Sequence, residues 1–416
     1  MEKYRLGIGF IGGGFISRFH IQSLLGVRDV DVVGVVSKTK QSAEDTAALA
    51  NELGVGPAKA FDTITEMVED PGVDALWVCS PNYTRIETFE EIANAVSSSK
   101  GELIGVACEK PLGRNVAEAK KVLELTQSAD LLDGYLENQV FSPSITRGKE
   151  IIWARGAATT GRPFLARAAE EHSGPHMPWF WEGELQGGGV LNDMMCHSVE
   201  EARFLLTEPG KPRDSIKPIS VSAHTDCLKW QRPKYADILS KNSGGKTDYS
   251  QRPSEDFARS LIEYLDENGE KIIVETTTSW CFVGEGLRLS VELFGPEYSM
   301  FVNTLDPDLK VFFSREVSGE AGEDLVEKQN AESGGMPVVS NEAEVYGYTA
   351  ENRHMVESFL AGKRPEENFS DGVNVTELLM TAYMSAEQGQ TITFPPPELD
   401  TFIPAVARGE WNPRSK

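Results

Sequence analysis

Apolar residues fall into two kinds of run along this chain, and the change from one to the other divides it. Through the first third they come as short, mainly apolar runs, Leu6–Ile11, Val30–Val36, 73–79, 103–108 and 131–136. Between these runs lie stretches with apolar positions at helical spacing, 15–25, 43–53, 87–96 and 116–127. Strands that alternate with helices are joined by crossovers, which predicts parallel βαβ units and an N-terminal doubly wound parallel sheet of the Rossmann type. Beyond about residue 138 the strand-like runs lengthen and alternate apolar with polar, at 164–169, 219–225, 271–280 and 288–294. Alternation marks a sheet with one solvated face. The second part is therefore predicted to be a C-terminal α/β domain on an open, mostly antiparallel sheet. Helices are expected at 191–206, 350–360 and 372–388. The polar stretch 228–254 reads as an exposed loop or arm, the acidic stretch 314–342 as a surface excursion, and the Pro-rich tail from Phe394 as extended.

Size and charge narrow the picture. A chain of 416 residues exceeds one ordinary core, so two domains are expected, 1–138 and 139–416. The net charge is −24, with no local basic cluster, which speaks against a nucleic-acid or membrane partner. No apolar run is long enough to span a bilayer. Five dispersed cysteines without paired spacing, and an N-terminus lacking a secretory pattern, imply a reducing, cytoplasmic setting.

Candidate chemistry begins at the first strand–helix junction. Gly9-Phe10-Ile11-Gly12-Gly13-Gly14-Phe15-Ile16-Ser17 fits G-x-G-x-x-small through Gly12, Gly14 and Ser17. Gly12 permits the tight turn and Gly14 lets the backbone approach a pyrophosphate. The anion then lies on the helix N-terminus, where free N–H groups and the dipole favour it. The pattern predicts a bound dinucleotide against Gly12, Gly14, Phe15 and Ile16. At the end of the second strand an NAD site usually carries an acid for the ribose 2′-hydroxyl. Here Ser37-Lys38-Thr39 supplies a cation instead, which leans toward NADP and leaves NAD open.

Three further segments follow in order: Cys79-Ser80-Pro81-Asn82, Glu109-Lys110-Pro111, and Gly187-Gly188-Gly189-Val190-Leu191-Asn192-Asp193-Met194-Met195-Cys196-His197. With the fingerprint, they resemble the glucose–fructose oxidoreductase, inositol dehydrogenase and rhizopine catabolism (Gfo/Idh/MocA) family across nearly the whole chain. The resemblance implies a Rossmann domain with an open-sheet partner and hydride transfer on sugars, polyols and their derivatives. It implies Lys110, Asp193 and His197 as catalytic residues, Ser80, Asn82, Glu109 and Asn138 near the cofactor, and a Lys110-Pro111 bond often cis. Helical spacing puts Asp193 and His197 on one face. An imidazole suits a base that takes a hydroxyl proton. One departure stands out: Tyr83-Thr84-Arg85 follow Asn82 where the family often has histidine.

The segment Glu170 to Trp181 groups His172, His176, Trp179 and Trp181. Aromatic rings stack on apolar sugar faces while polar groups take hydroxyls, so these four are read as substrate-binding. An aromatic core plug is the alternative. The family chemistry needs no metal, and none is expected. The leading function is an NAD(P)-dependent dehydrogenase for a sugar, cyclitol or glycoside. Alternatives are a glycoside-cleaving enzyme working by transient oxidation at the third ring carbon, and a non-catalytic nucleotide sensor. The resemblance also implies a homo-oligomer, dimer or tetramer.

Overall fold

The computed structural model describes residues 5–98, 100–284, 286–306, 309–313, 334–339 and 341–413. It divides into two compact units. The first comprises Met1–Gly113, Ala117–Pro143 and Ala343–Asn374, and the second Arg114–Val116, Ser144–Glu342 and Val375–Lys416.

The first unit holds a six-stranded, wholly parallel sheet. Its strands are β1 (Leu6–Ile11), β2 (Val30–Val36), β3 (Lys59–Ala60), β4 (Ala75–Val78), β5 (Gly105–Glu109) and β6 (Leu132–Leu136), in the order β3-β2-β1-β4-β5-β6. This is the doubly wound order of dinucleotide-binding domains, whose direction of winding reverses between β1 and β4. Loops leaving the carboxyl ends of those two strands therefore diverge and open a crevice. Mainly apolar runs are what a parallel sheet covered on both faces requires, and β1 and β4 are buried along their whole length. Ile11, Leu76, Val78 and Val106 pack with Phe89 and Ile92 of the helix Arg85–Ser97.

The pattern placed one cut near residue 138, whereas Ala343–Asn374 folds back into this unit. Its helix Tyr348–Leu360 carries Met355, Val356 and Phe359, each almost fully buried. The Phe359 ring meets Trp77 of β4 edge-on, with centroids 5.9 Å apart. Burying side chains of this size is worth about 1.5–3 kcal/mol each, enough to tie a distant segment to the sheet.

The second unit is built on a seven-stranded sheet. Its strands are β7 (Leu165–Glu171), β8 (Lys217–Asp226), β9 (Phe257–Leu265), β10 (Lys271–Ser279), β11 (Arg288–Gly295), β12 (Tyr298–Asn303) and, after a separate hairpin of β13 (Leu309–Phe313) and β14 (Gly334–Val338), β15 (Ile392–Thr393). The order is β12-β11-β7-β10-β9-β8-β15. Among the described residues only β7 and β10 pair in parallel, so the sheet is mixed and mostly antiparallel. The helix Val190–Leu206 lies against this sheet and is buried at every position.

Two local expectations need correction. β9 escaped the pattern because Phe257 and Leu261 face outward while Ser260 faces inward, where its hydroxyl pairs with Thr276 Oγ1 at 2.7 Å. The polar stretch 228–254 is not an exposed arm: it contains the helix Pro233–Asn242 and the fully buried Tyr249. Pro233 supplies a helix start, since its missing N–H is one the first turn leaves unpaired anyway. Most of the acidic excursion at 314–342 lies outside the described residues. No described helix is long and apolar enough to cross a membrane.

Candidate functional site

Gly12, Gly14, Ser37, Ser80, Asn82, Glu109 and Lys110 all lie at or just beyond the carboxyl ends of β1, β2, β4 and β5. Gly12 has φ of +113°, and a Cβ there would stand 2.9 Å from Cys79 O. The turn needs glycine for its conformation and for close approach to the strand beside it. Gly13, which the fingerprint reading passed over, is equally confined: a Cβ would stand 2.6 Å from Ser42 Oγ. Its carbonyl accepts from Ser42 Oγ at 3.1 Å and Thr46 Oγ1 at 3.2 Å, latching the loop to the helix Lys40–Glu52.

Gly14 is different. Nothing lies within 4 Å of a Cβ built on it. It precedes the helix Phe15–Ser23, whose first turn has neither a side-chain cap nor an acidic residue. An open cradle on a helix N-terminus fits a pyrophosphate. Phe15 and Ile16 begin that helix, with Phe15 partly exposed and stacked on Phe19. Ser17, the small third position, is fully buried. Ser37 is half-buried and Lys38 exposed. Ser80 Oγ accepts from Thr84 Oγ1 at 3.0 Å, and Asn82 is buried. Asn138 gives its amide N–H to Tyr346 O at 2.7 Å.

The Glu109-Lys110-Pro111 turn, whose Lys110-Pro111 bond is cis, is clamped from beneath. Arg85 is buried and donates through one nitrogen to Glu109 O, to Pro111 O at 2.8 Å and to Cys108 Sγ at 3.0 Å. Arg85, from the segment that departs from the family's usual pattern, thus gathers the carbonyls on both sides of Lys110. Glu109 accepts from His20 Nε2 at 2.8 Å and from the Lys110 N–H at 3.1 Å. Burial works to raise the Glu109 carboxyl. The His20 hydrogen bond and charge, with the positive charges of Lys110 and Arg85, outweigh it and hold the group below its ordinary value.

In the second unit, Asp193 and His197 share one face of the helix Val190–Leu206. His197 Nε2 lies 3.9 Å from Glu170 Oε2 near the end of β7, and Trp280 Nε1 donates to Asp193 at 3.3 Å. His172 follows β7: its N–H donates to Ser279 O, and its Nδ1 accepts from Gly174 N at 2.9 Å. Trp181 is buried against Trp230, Trp280 and Tyr249. Trp179 is more open and stacks on Phe180 with centroids 3.8 Å apart, while His176 is exposed. One cluster thus links Trp181 through Trp280 to Asp193.

Glu255 anchors the start of this helix. It accepts from Gly189 N at 2.8 Å, Leu191 N at 3.2 Å and the Tyr383 hydroxyl at 2.5 Å. Burial pushes its carboxyl up, the three donors recover only part of that, and the group comes to about 7. His20, Arg85, Glu170, Glu255, Trp280 and Tyr383 were all missed from sequence. Their partners lie far away along the chain, and only Arg85 carried a signal, as a departure from the family pattern.

Two family models match. The oxidoreductase family with an NAD-binding Rossmann fold (GFO_IDH_MocA) covers residues 6–132, and the GFO/IDH/MocA C-terminal domain covers residues 156–300. Myo-inositol 2-dehydrogenase of Thermotoga maritima is 29% identical over 202 residues, which is 48% of this chain and 55% of that protein. The chain thus spans little more than half the length of this relative. Levoglucosan dehydrogenase of Pseudarthrobacter phenanthrenivorans is 24% identical over 76% of this chain and 78% of its own. The crystal structure of GenD2 from gentamicin A biosynthesis in complex with NAD superposes with a TM-score of 0.75 at 25% identity, over 95% of this chain and 98% of that one.

Proposed function

The chain belongs to the GFO/IDH/MocA oxidoreductase family, and on that premise we propose that it is an NAD(P)-dependent dehydrogenase acting on a secondary alcohol of a sugar, cyclitol or glycoside. The observation that carries this reading is His197, buried on one helix face with Asp193 and flanked by the Glu170 carboxylate. An imidazole between fixed acids is built to take a hydroxyl proton. Relatives named for myo-inositol, 1,5-anhydro-D-fructose and levoglucosan support the substrate class.

An oxidised nicotinamide held by the first unit would supply the hydride acceptor. The carbinol carbon gives up a hydride and its hydroxyl gives up a proton to His197, leaving a ketone. Asp193 and Glu170 orient the imidazole, and Lys110 donates to the forming carbonyl. Gly12 and Gly14 admit the pyrophosphate, with Phe15, Ile16, Ser80, Asn82, Glu109 and Asn138 around the cofactor. On the substrate side, His176 and Trp179 keep exposed surface to meet a sugar, while His172 and Trp181 are buried and take a supporting part. The same reading carries a homo-oligomer in the cytoplasm.

Lys110→Ala and His197→Ala should each lower kcat by about 10²–10⁴ on a panel of inositols, anhydrosugars and glycosides, followed by absorbance of reduced nicotinamide. Turnover equal to the parent in both variants would overturn the assignment. Gly14→Val should fold normally, because the structure leaves room there, yet lose dinucleotide binding. Unchanged affinity would remove the fingerprint. For cofactor choice, Ser37 and the exposed Lys38 support a 2′-phosphate. Lys38→Asp should shift preference from NADP toward NAD by roughly 1–3 kcal/mol, the scale of one charge-assisted hydrogen bond. A parent already strongly selective for NAD refutes that point.

The second reading, cleavage of a glycoside by transient oxidation, has the partly exposed Trp179–Phe180 stack in its favour, since an aglycone ring can pack on aromatic faces. Accumulation of reduced nicotinamide separates the two: a dehydrogenase accumulates it, and a closed redox cycle does not.

A further inference from the structure

A buried line of hydrogen bonds runs through the first unit to the main chain of Lys110, and its direction follows from donor and acceptor chemistry. The indole of Trp77 only donates, and its Nε1 lies 2.8 Å from Asn352 Oδ1, so that atom is the amide oxygen. The Asn352 nitrogen donates to Ser23 Oγ at 2.8 Å and Tyr348 O at 2.9 Å. His20 Nδ1 lies 2.9 Å from the Asn352 nitrogen and 3.3 Å from its oxygen, so Asn352 holds that edge of the ring. The opposite nitrogen, Nε2, lies 2.8 Å from Glu109 Oε1, and since a carboxylate only accepts, Nε2 is the donor. The other oxygen of Glu109 takes the Lys110 N–H.

A second glutamate faces the same ring. Glu351 Oε2 lies 4.0 Å from His20 Nδ1, both side chains are fully buried, and neither carboxyl oxygen of Glu351 has a hydrogen-bond partner. Burial, with Glu109, Glu137 and Glu367 nearby, pushes this carboxyl well above its ordinary range. On the basic side of the line stand Lys110 and Arg85, both of which act on Glu109.

We propose that His20 is a positioning residue for Lys110: its ring, held at one edge by Asn352, donates through Nε2 to the Glu109 carboxylate, fixes it against the Lys110 main chain and so sets the lysine's place and charge. The inference rests on the reading of Lys110 as the group that meets the forming carbonyl. It differs from a structural role in having a consequence for the Lys110 amine itself.

The test has one arm that needs no substrate. The purified full chain is labelled with fluorodinitrobenzene across a pH range, and modification of Lys110 is followed by peptide mass spectrometry. His20→Gln places an amide N–H near the position of Nε2 and should keep the parent's half-labelling pH. His20→Leu leaves Glu109 without that donor, so the carboxylate is no longer fixed beside Lys110 and the half-labelling pH should move from the parent's. An unshifted value in His20→Leu overturns the proposal. If that variant does not fold, ¹⁵N NMR of the parent's His20 decides: a protonated Nε2 at neutral pH supports it, and an unprotonated Nε2 overturns it. In turnover, His20→Leu should lose roughly 10–100-fold in kcat with KM within about twofold, and His20→Gln should recover it. Full activity in Lys110→Ala would defeat the parent reading alone, because the labelling arm still reports whether His20 governs the lysine.

Discussion

Glu109 and Glu255 serve similar ends in the two units and sit in opposite electrostatic states. Each is buried, and each accepts main-chain N–H groups from a segment bearing candidate chemistry. For Glu109 that segment is the Lys110 turn, and for Glu255 it is the start of the Asp193–His197 helix. Burial raises a carboxyl in both places. At Glu109 it is outweighed by the hydrogen bond and charge of the His20 imidazole and by two further cations, and the group falls below its ordinary value. At Glu255 the donors are a phenol and peptide N–H groups, and the group stands at about 7. Glu351, with no hydrogen bond to either oxygen, is pushed higher still, well above its ordinary range. The three form a series. Dipoles recover part of a carboxylate's lost hydration, and a nearby cation can recover the rest.

Removing the cation should have the largest effect on this comparison. Arg85→Met leaves the Glu109 and Pro111 carbonyls without their buried donor and takes positive charge from Glu109. Two buried acceptors left unsatisfied predict a loss of roughly 3–5 kcal/mol in chemical denaturation. A loss under about 1 kcal/mol would mean that Arg85 is not what holds the turn.

The next effect is the pH dependence contributed by Glu255. Its carboxyl is raised in the folded state, so between the ordinary value of 4.5 and about 7 the folded chain binds more protons than the unfolded one. Stability from this group is complete below 4.5 and declines as pH rises to about 7. The total decline is roughly 3 kcal/mol. Glu255→Gln keeps an acceptor for Gly189 and Leu191 but cannot ionise. The melting temperature should therefore fall less between about pH 5 and about pH 8 in the variant than in the parent. Equal falls would show that Glu255 does not titrate in that range.

These residues also mark where the sequence stopped being informative. The doubly wound sheet was legible because mainly apolar runs and a glycine turn are local signals, and Gly12 answers them with its positive φ. Asp193 and His197 were legible as a helical pair within one segment. β9 was not, since Ser260 faces inward and finds its partner, Thr276, only once β10 is beside it. Nor could the return of Ala343–Asn374 to the first unit be read, as it rests on Asn352 and Phe359 meeting Trp77 across a long separation in sequence. The anchoring glutamates fall in the same class. Nothing local to Glu255 announces Gly189 or Tyr383, and nothing local to Glu109 announces His20.

The smallest expected effect carries the opposite sign and closes the comparison. Glu109 is held below its ordinary value, so its ionised form is favoured by folding. The stability it contributes is present above the unfolded value and is lost as pH falls through the folded one. Glu109→Gln removes that contribution, and the penalty should be visible near neutral pH and shrink as the solution is acidified. For Glu255→Gln the difference from the parent instead changes most between 4.5 and about 7, and it favours the variant as pH rises. Plotted as variant minus parent against pH, the two melting-temperature curves should therefore slope in opposite directions. The Glu109 effect is the lesser one because burial there opposes the hydrogen bond and the cations, so only their surplus remains. Parallel slopes would show that both carboxyls respond to burial alone, and that the cations beside Glu109 do not set its charge.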